Sequence, residues 1–414
     1  MPQKFRRRDV LVSGLGAASM LAAGGLGRVF APALAAASGA ADRSKAAPSL
    51  PVAIRRCISY QPQLLRATID NAFNLIGGIK KLVSNKTVTI KINVTGGPGT
   101  LCGLPGYRTY QIHPNVVAAV CGAIHDAGAK RIVIVESQYS VKTPEEVLAG
   151  GGWDVNTIRS AGGNKVSFED TRNRGKWPSY SPLKVPWGGF LYPTFLVNQA
   201  YEKTDVFVSL AKLKDHVSAG VTLAVKNLFG ITPISLYGNE SPNENGLSPR
   251  LDVLHDGKRA VPAGVPGEVA HGLPAHWKHR VPRITADLLG ARPVDLCVID
   301  GIETNRGGEG PWCARTQALK PGLLVAGRNA VCTDAVCTAV MGYDPQAGHG
   351  QFPFPGDNHL LLLAQMGVGT IDTKRIDVLG LPIEKALFPF NPKRLPLDVP
   401  TTYNLRHNPF AVYA

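Results

Sequence analysis

The chain is predicted to fold as a layered α/β protein, with a mostly parallel sheet, flanking helices and a long irregular insertion at about 232–293. Three observations predict this. Short, continuous apolar runs recur, as expected of strands covered on both faces. Segments of helical periodicity fall between them. Their alternation is that of βαβ units, whose crossovers are right-handed by default.

Taken in order, residues 38–51 are small, polar and Pro-containing, and read as a disordered lead-in. Residues 63–77 place Leu64, Leu65, Ile69, Phe73 and Ile76 along one side of a helix. At 87–94, Val88, Ile90, Ile92 and Val94 alternate with Thr89, Lys91 and Asn93, which is a strand. Its period of two puts Lys91 and Asn93 on one face, near the carboxyl end. A Gly-rich loop follows, and His113-Pro114-Asn115 opens a helix to about 127, with Pro114 suited to the first helical position. Apolar runs at 132–135, 206–210, 296–299 and 323–326 are further strands. Residues 331–341 and 358–366 are predicted helices, and 376–379 a last strand. The insertion is rich in Pro, Gly, Asn and His with little periodicity, the pattern of a functional loop or lid. The domain is bounded at 52–388, and a Pro- and Asn-rich tail occupies 389–414.

The first 37 residues have a different character. Lys4, Arg6, Arg7 and Arg8 precede a weakly apolar, Gly/Ala-rich run. Ala33-Leu34-Ala35 and Ala35-Ala36-Ala37 both read as A-x-A cleavage sites. This resembles a twin-arginine export signal, which implies a periplasmic or extracellular destination and the twin-arginine translocase as a partner. The run is shorter than the ~20 residues a membrane span needs, so cleavage is expected rather than a stable anchor.

The net charge is +15, and the leader carries four of those charges. The remaining charge is scattered and matches no nucleic-acid module, so it is read as a solvated surface that favours anionic ligands. There are seven cysteines and no C-x-x-C, which argues against a ferredoxin-type iron–sulfur cluster. Cys332 and Cys337 are five apart on a predicted helix and face different ways, so they should not pair. Cys102 and Cys313 lie in Gly/Pro-rich loops where an oxidising compartment permits a disulfide.

Several stretches carry further information. They are Val88-Thr89-Ile90-Lys91-Ile92-Asn93, His113-Pro114-Asn115, and Lys212-Leu213-Lys214-Asp215-His216. With them go Val221-Thr222-Leu223-Ala224-Val225-Lys226-Asn227-Leu228-Phe229-Gly230, Val298-Ile299-Asp300-Gly301 and Thr333-Asp334-Ala335. Together they resemble the DUF362 family over about 85–345. The chain departs from that pattern in lacking ferredoxin-like cysteine runs and in having Lys91-Ile92-Asn93 where Lys-Pro-Asn is frequent. The resemblance implies an α/β fold and no settled reaction.

The chemistry of these residues is weighed against structural roles. His113 can meet an anion or a metal, or only cap its helix. Lys212 and His216 share a face in either strand or helix and can approach one ligand, Lys as an anion clamp and His as metal ligand or proton shuttle. A solvated basic turn is the alternative. Lys226, among apolar neighbours, is expected to be buried and paired with Asp334 or Asp300, because an unpaired buried ammonium is costly. Asp300 ends a buried strand at the carboxyl edge where ligands of α/β sheets bind. Glu303 and Glu309 follow it in an acidic Gly-rich loop. His276 and His279 have i, i+3 spacing without a helix signal and read, with His271, as surface residues.

The expectation is therefore one polar site for a small anionic ligand. His216, Lys226 and Asp300 would be its catalytic groups. Lys91, Asn93, His113, Lys212 and Asn227 would bind the ligand. A divalent metal would draw on His113, His216, Asp300, Glu303 and Asp334. The rival expectation is a non-catalytic cofactor-binding or redox-partner protein using the same pocket. No G-x-S-x-G, P-loop or H-E-x-x-H narrows the choice.

Overall fold

The computed structural model describes residues 41–269 and 274–393. The export signal, His271 and the tail from 394 lie outside the described residues. One sheet of eight strands organises the rest: β1 (Val52–Arg56), β2 (Thr87–Lys91), β3 (Arg131–Glu136), β4 (Val166–Asp170), β5 (Val206–Lys212), β6 (Leu296–Gly301), β7 (Leu323–Gly327) and β8 (Val378–Gly380). The order across the sheet is β8-β1-β7-β6-β5-β2-β3-β4. β7 runs antiparallel to β1 and β6, and every other pairing is parallel.

Helices cover both faces. On one face lie α1 (Pro62–Leu75), α2 (Pro114–Asp126) and α3 (Val155–Ala161). Ile69, Val116 and Ile158 pack there against Ile90, Val208 and Val298. On the other lie α4 (Leu223–Asn227), α5 (Trp277–Ala291), α6 (Ala330–Val340) and α7 (His359–Gln365). Val225, Ile284, Val336 and Leu363 pack there with Phe207, Ala211 and Ile299. Successive strand residues thus feed opposite cores, which is why the strands read as continuous apolar runs.

Beyond β2 the chain moves outward to β3 and β4. β5 then enters on the other side of β2, and β6 continues in the opposite direction. Where the winding reverses, the loops leaving two adjacent strands diverge and open a crevice at their carboxyl ends.

Two expectations differ from the fold. Residues 42–51 are attached to the domain: the Arg43 N–H donates to the Gln365 carbonyl, the Thr370 N–H donates to the Pro48 carbonyl, and Ala47 is buried. The insertion also contains a full helix, α5. Its apolar face carries Val281, Ile284 and Leu288, and two buried arginines, Arg280 and Arg283, together with Pro282 obscure the periodicity. Pro282 cannot donate to the Lys278 carbonyl one turn back. The Asp357 N–H donates to that carbonyl instead, at 3.1 Å.

All seven cysteines are free thiols, so Cys102 and Cys313 are not joined, and Cys332 and Cys337 lie unpaired on α6. Among the described residues, no helix is long and apolar enough to cross a membrane.

Candidate functional site

A cavity of about 900 Å³, counting its open mouth, lies where β2 and β5 diverge. Lys91 and Asn93 reach it from the end of β2, Glu136 from β3, and His216 from the hairpin after β5. Lys226 and Asn227 come from α4, while Arg250 and His255 come from the insertion.

Its floor is a polar lattice in which one buried oxygen, Asn93 Oδ1, has no partner among the described residues. Lys91 Nζ donates to Glu136 Oε1 at 2.5 Å, to the Ile92 carbonyl at 2.6 Å and to Asn227 Oδ1 at 3.3 Å. Asn93 Nδ2 donates to the same Asn227 oxygen at 3.1 Å, and Asn227 Nδ2 donates to Ser209 Oγ at 3.1 Å. Gly230 makes the close packing feasible, since a Cβ there would lie 2.8 Å from Lys91 Nζ. Arg250 is equally occupied: it donates to the Thr232 carbonyl at 2.7 Å, to Tyr139 Oη at 3.0 Å and to Ser137 Oγ at 2.5 Å.

Lys226 differs from these cations. It is 7 % exposed, and its ammonium makes no ion pair or hydrogen bond among the described residues. Nζ lies 4.1 Å from the centroid of the Phe229 ring, a cation–π contact. Burial drives its pKa down to about 7, against the weaker pull of Glu309. The expected pairing with Asp334 or Asp300 is absent. Asp334 instead caps α4, accepting from the Ala224 and Val225 N–H groups at 2.9 and 2.7 Å. Burial pushes its carboxyl up to about 8 against those two donors. Both Asp334 oxygens are taken by these backbone donors, and no hydrogen bond or ion pair joins Asp334 to Lys226 among the described residues. The chain enters α4 through Leu223 at φ 48°, a left-handed conformation that a branched residue adopts only under strain.

His216 accepts from the Ser218 N–H at Nδ1 (3.2 Å), so a neutral ring carries its proton on Nε2. Burial and the neighbouring Lys226 hold its pKa well below the usual histidine range. Glu309 accepts from the Val217 N–H at 3.0 Å and from Trp312 Nε1 at 2.8 Å. Burial also pushes His255 down, to about 3.

His113, Lys212 and Asp300 do not join this cavity. They form a second centre on the α1/α2 face. The sheet register explains the separation. Lys91 lies opposite Ser209, whereas Lys212, three residues on, points to the other face and lies opposite Asp300. Asp300 accepts from Lys212 Nζ at 2.8 Å, Tyr60 Oη at 3.0 Å, the His113 N–H at 3.2 Å and the Ile302 N–H at 3.1 Å. The His113 ring stacks on Tyr60, centroids 3.6 Å apart and planes 9° from parallel, and its Nδ1 accepts from the Asn115 N–H. Burial holds the His113 pKa down to about 4. Glu303 is clamped by Arg108 at 2.6 and 2.8 Å, which with Lys320 draws its carboxyl down to about 2.

The five residues expected to ligate a metal are therefore dispersed. His113, Asp300 and Glu303 lie on one face, His216 on the other, and Asp334 is occupied as a helix cap. Glu136, Arg250 and His255 were not anticipated. Glu136 ends an apolar strand and so carries in the sequence the same signal as Asp300. Arg250 and His255 lie in irregular chain, where no periodicity marks their direction.

An α/β sheet with a polar, cation-lined crevice at its switch point defines the class of protein. The chain matches the family described as a domain of unknown function (DUF362) over residues 88–339 and belongs to it. It is 24% identical over 304 residues to a thylakoid-associated protein of Synechocystis, covering 71% of this chain and 75% of that one. A crystal structure of a Thermotoga maritima protein is similar at 10% identity and a TM-score of 0.32. That match spans 59% of this chain and 51% of the other, too slight a likeness to support an argument.

Proposed function

We propose that this protein is exported and binds a small anion, a carboxylate or phosphate, in the cavity between β2 and β5. The unpartnered ammonium of Lys226 carries the proposal. A buried cation without a counter-ion is unfavourable, and an anionic ligand would supply the missing charge. His216, with its proton on Nε2, offers a second donor from the cavity wall. An amine near pKa 7 can also exchange a proton at neutral pH, which would suit an acid–base step on the bound anion. The internally satisfied Lys91, Glu136 and Arg250 favour the second reading, a binding protein that performs no chemistry.

Calorimetric titration of the purified protein with inorganic phosphate and with small mono- and dicarboxylates tests the site. At least one should bind, and Lys226→Met should weaken it by roughly 10–100-fold, the worth of one hydrogen bond to a charged group. Equal binding by the variant, or no binding by the native chain, would overturn the proposal. Export rests on Arg7 and Arg8. Replacing both with Lys should leave the precursor in the cytoplasm, and normal export of that variant would refute the twin-arginine route.

A further inference from the structure

Away from the cavity, α5 meets the loop that precedes α7. His279 projects from α5, and His349 and Asp357 belong to the loop. One ligand atom from each of the three lies within 4.8 Å of the other two. His349 Nδ1 is 2.7 Å from Asp357 Oδ1, and His279 Nδ1 is 3.9 Å from Asp357 Oδ2. The two imidazoles stack with centroids 5.2 Å apart and planes 17° from parallel.

We propose that His279, His349 and Asp357 bind one divalent transition-metal ion of the zinc type. Two imidazoles and a carboxylate are the donors such ions take, at about 2.0–2.2 Å each. Three protein ligands leave a position open to water or an external ligand. The set is held before any ion arrives. His279 sits on a regular helix. Asp357 is buried, its N–H donates to the Lys278 carbonyl, and its Oδ2 accepts from Arg283 Nε at 2.7 Å. His349 is half exposed and is the ligand free to adjust. The carbonyl left over by Pro282 and the Arg283 guanidinium together tie the loop to the helix at the ligand positions. Arg283 keeps part of the Asp357 charge, so this site should exchange its metal readily.

The test uses the full chain, stripped with chelator and titrated with Co²⁺ and then Zn²⁺. One equivalent of Co²⁺ should bind, with a visible ligand-field spectrum and no thiolate charge-transfer band, and Zn²⁺ should displace it. His349→Ala changes an exposed loop residue and should leave the fold intact while weakening binding at least about tenfold, as should His279→Ala. His216→Ala should bind Co²⁺ like the native chain, which separates this site from the anion cavity. No Co²⁺ binding, binding that survives both His279→Ala and His349→Ala, or binding lost only in His216→Ala would each overturn the assignment.

Discussion

Two buried lysines on opposite faces of one sheet are solved in opposite ways. Lys212 is matched by Asp300, and that carboxylate is filled by four donors. Lys226 has an aromatic ring and a cavity instead of a counter-ion. Burial lowers the pKa of both amines. The first is closed, its ammonium answered by a carboxylate inside the fold. The second leaves a charge unanswered beside open space. Residue type and burial alone would rank the two alike, and only the partner distinguishes a structural ion pair from a ligand site.

The sharpest way to break this contrast is Lys212→Met. Removing the ammonium leaves Asp300 buried and charged with its main partner gone. We expect a loss of roughly 3–5 kcal/mol in equilibrium unfolding, the range for breaking one side of a buried pair. A loss below about 1 kcal/mol would mean that the neutral donors from Tyr60, His113 and Ile302 suffice, and the closed centre would lose its central claim.

The same substitution at Lys226 should have the opposite sign. Lys226→Met strands no hydrogen-bonded carboxylate, since Glu309 keeps its donors from Val217 and Trp312, and a buried cation without a hydrogen-bonded partner is removed. The variant should be more stable at pH 7, by about 1–4 kcal/mol if it follows buried charges replaced by apolar groups. Clear destabilisation would reveal a counter-ion and would return Lys226 to the class of Lys212.

The acid–base behaviour of Lys226 sharpens the point. Its folded pKa of about 7 lies below the ordinary lysine value, so between pH 7 and about 10.4 the unfolded chain holds a proton that the native chain does not. Stability therefore rises with pH across that window, and the penalty is fully present below pH 7. The stability gain of Lys226→Met over the native chain should shrink as pH is raised from 7 to 10. Anion affinity should move the other way. A bound anion favours the ammonium, so binding is tightest below about pH 7 and weakens above it. A pH-independent affinity between 6 and 9 would separate Lys226 from the ligand.

How far the sequence foretold this depends on what kind of information was needed. Continuous apolar runs marked four of the eight strands, β3, β5, β6 and β7, nearly in place, because doubly covered strands carry that signature locally, and alternation marked β2. β1 was missed because Val52, Ala53 and Ile54 are followed at once by two arginines. α5 was missed because Pro282 and buried arginines masked the spacing of Val281, Ile284 and Leu288. Most of the candidate residues are buried, but the fold divides between two faces a set that the sequence reading places in one site. Period-two alternation fixes faces within a strand. It does not fix the register between β2 and β5, which are far apart in sequence and meet only in the fold. That register sends Lys91 and Lys212 to opposite faces.

The smallest effect belongs to the rim of the closed centre. Arg108 clamps Glu303 through two short hydrogen bonds, but the arginine side chain is 37% exposed and Lys320 also reaches the carboxylate at 3.1 Å. An ion pair so placed is screened by water and salt, so Arg108→Ala should cost less than about 1 kcal/mol at neutral pH. Its signature lies in the acid limb. With its folded pKa drawn down to about 2, Glu303 contributes stability above the unfolded value near 4.3, and that contribution is lost as pH falls towards 2. Without Arg108 the carboxyl should titrate nearer its ordinary range, so the variant should show a shallower loss of stability between pH 4.5 and 2. Lys212→Met should keep this limb, because Lys212 bonds to Asp300 and not to Glu303. If Arg108→Ala instead destabilised as much as Lys212→Met, the rim and the buried pair would be one unit, and the closed centre would extend to the surface.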